Sequence, residues 1–114
     1  MYFEFISVEE LKMTIAIAAT APKLDGQIAM HGARAPFYLL FDERGDMLEV
    51  LANPVVQAEG GAAPRAALLL ADKGVTLLAA GDFGNRFISE LEGRGITHEL
   101  KSGLISDAIA ELIS

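Results

Sequence analysis

The chain has 114 residues, 52% of them hydrophobic and 22% charged, with sixteen acids against nine bases for a net charge of −7. That composition fits one globular domain, long enough to bury roughly two thirds of its unfolded surface. The acidic balance opposes nucleic-acid binding, the absence of cysteine excludes disulfides, thiolate metal sites and thiol nucleophiles, and no apolar run is long enough to span a bilayer.

Residues 1–12, MYFEFISVEELK, stand apart as an N-terminal extension to a single domain at 13–114. Phe3 and Phe5 alternate with Tyr2, Glu4 and Ile6 as an edge strand would. A start-site artefact is the other reading, with Met13-Thr-Ile-Ala-Ile as the natural beginning, and both stay open. TIAIAAT, from Thr14 to Thr20, is small, apolar and uncharged, and predicts a strand buried on both faces. A small-residue loop holding His31 and Arg34 follows. PFYLLFD and MLEVLAN flank the polar turn ERGD and predict an antiparallel hairpin, ended by Asn53-Pro54. EGGAAPRAALLLADKG predicts a helix, with glycines before it, Pro64 near its first turn and Gly74 behind Lys73. Ala66, Leu69, Leu70 and Lys73 fall on one side of it. VTLLAAG reads as a strand, GNRFISELEGRG as a helix with Phe87, Ile88 and Leu91 at core spacing, and ITHEL as a short strand. SDAIAELIS is a last helix, with Ser106 as its N-cap and Ala108, Ile109, Leu112 and Ile113 facing inward. The order β, ββ, α, β, α, β, α predicts an α/β fold: a mixed, mostly parallel five-stranded sheet with three flanking helices.

HGARAPFYLLFDERG, followed by NPV and by EGGAAPRAALLLADKGVTLLAAGDFGNRFISELEGRGI, closely resembles the dinitrogenase iron–molybdenum cofactor biosynthesis family. That family includes nitrogenase accessory factor-like proteins and small orange-protein-like members. The likeness covers about Met13 to Ile113. It rests on His-x-x-Arg-Ala-Pro, the Gly-Gly-Ala-x-Pro-(Lys/Arg)-Ala helix start, and Gly81 followed by Gly84, in that order. It implies a ribonuclease-H-like sheet and, for some members, transient binding of metal–sulfur clusters. One relative in sulfate reducers holds a molybdenum–copper sulfide cluster without covalent attachment. The family usually has His-Phe-Gly-Arg where this chain has His31-Gly32-Ala33-Arg34, so an aromatic residue beside the histidine is lost.

In open α/β sheets, ligands collect beyond the carboxyl ends of the strands. Here that end holds the loop after Thr20, with Met30 and His31, opposite the loop after Ala80. Helix starts at Gly60-Gly61-Ala62 and Gly84-Asn85 can present backbone N–H groups there, and Arg34, Arg65 and Arg86 can add positive charge. Thiometallate clusters are anionic, so the expected cofactor-binding residues are His31, Arg34, Gly60, Gly61, Arg65, Gly84 and Arg86, with His31 as metal ligand. Each has an ordinary rival. His31 also reads as a solvated loop residue, Arg65 and Arg86 as solvated helix residues, Gly60 and Gly61 as a tight turn, Met30 as packing, and His98 as a surface or structural residue.

Catalysis fits poorly. The central strand offers no carboxylate for a nuclease metal site, no Ser–His–Asp signature is present, and GGAAPR lacks the Lys-Ser/Thr pair of a phosphate loop. Two readings remain. One is a cytoplasmic, non-catalytic carrier or store for an anionic metal–sulfur cluster, iron–molybdenum or molybdenum–copper sulfide, exchanging it with cluster donor or acceptor proteins. The other is an interaction or regulatory domain of the same fold without a cluster.

Since the predicted sheet and all three helices lie downstream of the extension, a chain starting at Met13 should keep nearly the full stability. Urea midpoints of the two forms check this: a loss above about 2 kcal/mol, the scale of one large buried apolar side chain, would place Phe3 or Phe5 in the core.

Overall fold

A computed structural model of the chain describes residues 13–54 and 60–114. The extension, and with it the edge-strand reading, lies outside them. Five strands, β1 (Ile15–Ala19), β2 (Phe37–Phe41), β3 (Met47–Ala52), β4 (Leu77–Ala80) and β5 (Thr97–Leu100), form one sheet in the order β3-β2-β1-β4-β5. Pairing is antiparallel for β1–β2 and β2–β3 and parallel for β1–β4 and β4–β5. Only β2 therefore runs against the rest: mostly parallel holds for strand direction, whereas half of the pairings are antiparallel. This is the ribonuclease-H-like order.

Three helices, α1 (Ala62–Asp72), α2 (Asn85–Glu92) and α3 (Ile105–Ile113), cover the sheet. The alternation of β1 sorts them. Ala16 and Ala18 face a core that includes Ala62, Ala66, Ala67 and Leu70 of α1 and Phe87 and Leu91 of α2. Ile15, Ile17 and Ala19 face a second core with Ile105, Ala108 and Ile109 of α3. Two alanines in the central strand opposite an alanine-rich helix let α1 approach closely, and the larger isoleucines fill the face that carries a single helix. The run TIAIAAT reads as uniformly apolar because both of its faces are covered.

Each crossover helix ends in the same way. Val75 N–H donates to Leu70 O (3.1 Å) and Gly74 N–H to Ala71 O (3.0 Å), while Ile96 N–H donates to Leu91 O (2.9 Å) and Gly95 N–H to Glu92 O (3.1 Å). This 6→1, 5→2 pattern closes the helix and drops a buried apolar residue, Val75 or Ile96, into the core at the start of the next strand. Lys73, expected to keep its charge in water, ends α1 in an exposed ion pair with Glu49 of β3 (2.9 Å). One expectation at a helix end changes. The N-cap of α3 is Leu104, not Ser106, because Ile105 N–H and Ser106 N–H are taken by the carbonyls of Gly26 and Leu24.

In the β2–β3 turn, Asp42 Oδ1 accepts from Arg44 N–H (2.9 Å) and Asp46 N–H (3.0 Å). The backbone bond from Asp46 is the main cause that lowers the Asp42 carboxyl below its ordinary 3.8, with Arg44 also contributing. A folded-state value below the unfolded one contributes stability above the ordinary range, and that contribution is lost as pH falls through the folded value. A carbon-13 titration should therefore place the Asp42 midpoint below 3.8, and Asp42→Asn should remove that part of the acid dependence of unfolding.

Candidate functional site

The strands β1, β3 and β4 end, and β2 begins, at the same edge of the sheet. There β1 and β4 part. Their register pairs stop at Ile17 and Ala79, and the chain returning from the 20–27 loop enters the gap. Thr20 N–H donates to Gln27 O (3.1 Å), Ala29 N–H to Ala18 O (2.8 Å), Gly81 N–H to Ala29 O (3.0 Å) and Gly32 N–H to Asp82 O (3.1 Å). Residues 28–32 are thus tied to both diverging strands, and His31 pairs with Asp82 in an isolated parallel bridge. Gly81 is required by contact: a Cβ there would lie 2.9 Å from Met30 Cα and 3.2 Å from Met30 O. Met30 itself is 59% exposed, so the packing role expected of it is confined to its closeness to Gly81.

From His31 the loop runs over buried polar side chains. Tyr38 donates its hydroxyl to Gly32 O. Asn53 Nδ2 donates to Ala33 O (3.0 Å) and Ala35 O (2.9 Å), with Tyr38 Oη 3.3 Å away, and Asn53 N–H donates to Pro36 O (3.0 Å). Burial pushes the Tyr38 hydroxyl above its ordinary range, so it stays protonated and available as a donor.

Beside this loop lies an open cavity of about 430 Å³ lined by His31, Gly32, Ala33, Arg34, Gly61, Ala62, Ala63, Pro64, Asp82, Gly84, Arg86 and Phe87. Both helix N-termini at its wall lack a side-chain cap, since the N-cap residues are glycines, Gly61 for α1 and Gly84 for α2. The first intrahelical bonds there are Arg65 N–H to Gly61 O (3.3 Å) and Ile88 N–H to Gly84 O (3.0 Å). The N–H groups of Ala62, Ala63, Asn85, Arg86 and Phe87 therefore precede any intrahelical acceptor, and Pro64 has none to offer. Among the described lining residues there are two guanidiniums, Arg34 and Arg86, and one carboxylate, Asp82, and Arg34 is also engaged within the protein. Uncapped helix N-termini are places where an anion can be held.

Of the residues expected from the sequence, His31, Arg34, Gly61, Gly84 and Arg86 come together at this cavity. Gly60 and Arg65 do not line it. Gly60 is exposed beside Gly61, and Arg65 folds back so that its Nε lies 3.9 Å from where a Gly61 Cβ would be. Gly61 adopts φ +70°, so its requirement is conformational. Sequence reasoning missed Asp82, although it lies two residues past the carboxyl end of β4. It also read Phe87 as core only; that ring is buried and still forms part of the cavity wall. Asn53, read merely as the end of β3, is the buried polar residue that holds the loop. His98 is half-buried with its ring 5.0 Å from that of Phe83, a structural position. Among the described residues no group of three or more His, Asp or Glu side chains is placed to chelate a metal ion, and no helix is long and apolar enough to cross a membrane.

A sequence-family model described as dinitrogenase iron–molybdenum cofactor matches residues 13–114. No curated protein matches the chain. Among solved structures, the apo form of the orange protein from Desulfovibrio gigas is similar at 27% identity and a TM-score of 0.82, covering 89% of this chain and 87% of that one. A Thermotoga protein named as NifB, of the DUF35 family, is similar at 26% identity and a TM-score of 0.74, covering 88% and 86%. A Methanocaldococcus jannaschii protein named as a dinitrogenase, at 11% identity and a TM-score of 0.59 over 90% and 93%, shares the fold.

The two glycines separate conformation from contact. Gly61→Ala should cost about 1 kcal/mol through its positive φ alone and leave the His31 imidazole resonances in place. Gly81→Ala should cost more and shift those resonances, because the Met30 backbone must move. Urea unfolding together with imidazole NMR checks both.

Proposed function

Because this chain belongs to the dinitrogenase iron–molybdenum cofactor family, we propose that it is a non-catalytic carrier or store whose cargo is an anionic metal–sulfur cluster. Iron–molybdenum precursors and molybdenum–copper sulfides are the cargo classes, exchanged with donor or acceptor proteins. The observation that carries this reading is the convergence of two uncapped helix N-termini, Arg34, Arg86 and His31 on one cavity. A volume of about 430 Å³ lies within the range of small-ligand and cofactor sites. With no cysteine in the chain and no chelating cluster among the described residues, a metal has to arrive with most of its ligands already in place. Backbone N–H groups and guanidiniums suit the outer sulfides of such a species, and one imidazole can complete a metal's coordination. The similarity to the orange protein, solved in its apo form, supports this reading.

Reconstitution with tetrathiomolybdate, copper plus thiomolybdate, or iron and sulfide under anaerobic conditions tests the reading through uptake and a visible absorption band. His31→Ala should change the spectrum of the bound species, since coordination at the metal changes. Arg86→Ala should keep the band shape, weaken binding roughly fivefold at low salt and reduce its salt sensitivity. Arg34→Ala should act in the same direction, although Arg34 is also engaged within the protein, so Arg86 is the cleaner probe of charge. An unchanged spectrum and affinity in His31→Ala would leave capture to backbone amides and arginines. No uptake from any of the three mixtures would overturn the carrier reading in favour of an interaction domain.

A further inference from the structure

We infer that Tyr38 and Asn53 are positioning residues that make the 31–35 loop a binding surface for anions, by turning its carbonyls away from the cavity. This rests on the reading above that the cavity takes an anionic cargo. Three carbonyls within four residues, those of Gly32, Ala33 and Ala35, point at these two side chains, and neither side chain lines the cavity. All peptide bonds are trans, so each unit that turns its oxygen toward Tyr38 or Asn53 turns its N–H the opposite way. The N–H groups of Ala33 and Arg34 accordingly face away from the two side chains, and Ala33 and Arg34 themselves line the cavity. A loop of small residues has no intrinsic preference for this orientation, and carbonyls aimed at the cavity would repel an anion.

Burial makes the arrangement firm. Asn53 is 4% exposed and Tyr38 fully buried, so removing either donor leaves a carbonyl that gains by rotating toward the open cavity. Asn53 reaches the loop from the end of β3 and Tyr38 from β2, so the hairpin that the loop leads into also sets the orientation of the loop.

Binding of tetrathiomolybdate to the full chain should weaken roughly fivefold in Tyr38→Phe, which keeps the ring and deletes one donor, and roughly tenfold or more in Asn53→Ala. Ile109→Ala, a truncation on the opposite face of the sheet, controls for lost stability and should bind within about twofold of the parent. Unchanged affinity in Tyr38→Phe, or equal weakening in Ile109→Ala, would overturn the inference. Backbone carbonyl carbon-13 shifts in the free protein provide a reading independent of the cargo. Changes confined to residues 31–35 in Tyr38→Phe support the positioning role, and unchanged shifts at Gly32 and Ala33 overturn it. If the parent takes up none of the three mixtures, the cargo reading fails by itself and the carbon-13 shifts still decide the positioning.

Discussion

The divergence of β1 and β4 creates the cavity, and the backbone that fills the gap governs what it presents. Parallel strands exchange hydrogen bonds continuously until one of them turns away, and here both ladders would be left open at the carboxyl edge. Ala29 closes them, donating to Ala18 and accepting from Gly81. Since a buried, unpaired backbone group costs as much as a lost hydrogen bond, these contacts fix the path of residues 28–32 more firmly than the small side chains of the loop could. His31 is exposed, yet its backbone is anchored on the β4 side by the pairing with Asp82. An exposed imidazole on an anchored backbone is accessible to a ligand without being free to wander.

The same edge bears on how an acidic chain could hold the anionic cargo proposed for it. The net charge of −7 belongs to the chain as a whole, and distant solvent-exposed charges are screened within about 10 Å at ordinary ionic strength. Among the described residues the groups at the cavity are two arginines, one aspartate and two helix ends with glycine caps. A glycine N-cap supplies no side-chain oxygen to satisfy the first N–H groups, whereas Ser, Thr, Asp or Asn would. Two such choices on one cavity wall keep the donors available, at some cost in intrinsic helix stability.

Much of the fold was legible because the signals were local. Strand β1 showed itself by continuous apolarity, the hairpin by its turn, and α1 and α2 by the glycines behind them. The rule placing ligands beyond carboxyl strand ends gathered His31, Arg34, Gly61, Gly84 and Arg86 at one edge. What escaped was set by tertiary contacts. Nothing in Asn53-Pro54 reveals that the asparagine side chain reaches back across the hairpin to Ala33 and Ala35. Ser106 looked like a cap by residue type, but the carbonyls that take the first N–H groups of α3 come from residues 24 and 26, far away in sequence. Gly60 and Arg65 are each one position away from a residue that lines the cavity, Gly61 and Pro64 respectively, a distance that residue spacing does not resolve.

The departure at Gly32-Ala33 has its own physical account. The pattern this chain resembles has an aromatic residue after the histidine, and here that position is a buried glycine. A Cβ on Gly32 would meet Phe87 Cε2 at 3.0 Å and Phe83 Cδ1 at 3.3 Å. These two rings stack with centroids 6.1 Å apart, and Phe87 contributes to the cavity wall. The aromatic surface near the histidine is therefore supplied by α2 and the loop before it. That placement makes the wall part of the core packing of α2, because Phe87 belongs to the same apolar cluster as Leu91 and Leu70. A ring carried on the loop would move with the loop. A ring carried on α2 stays with the sheet, and the shape of the cavity is tied to the stability of the domain.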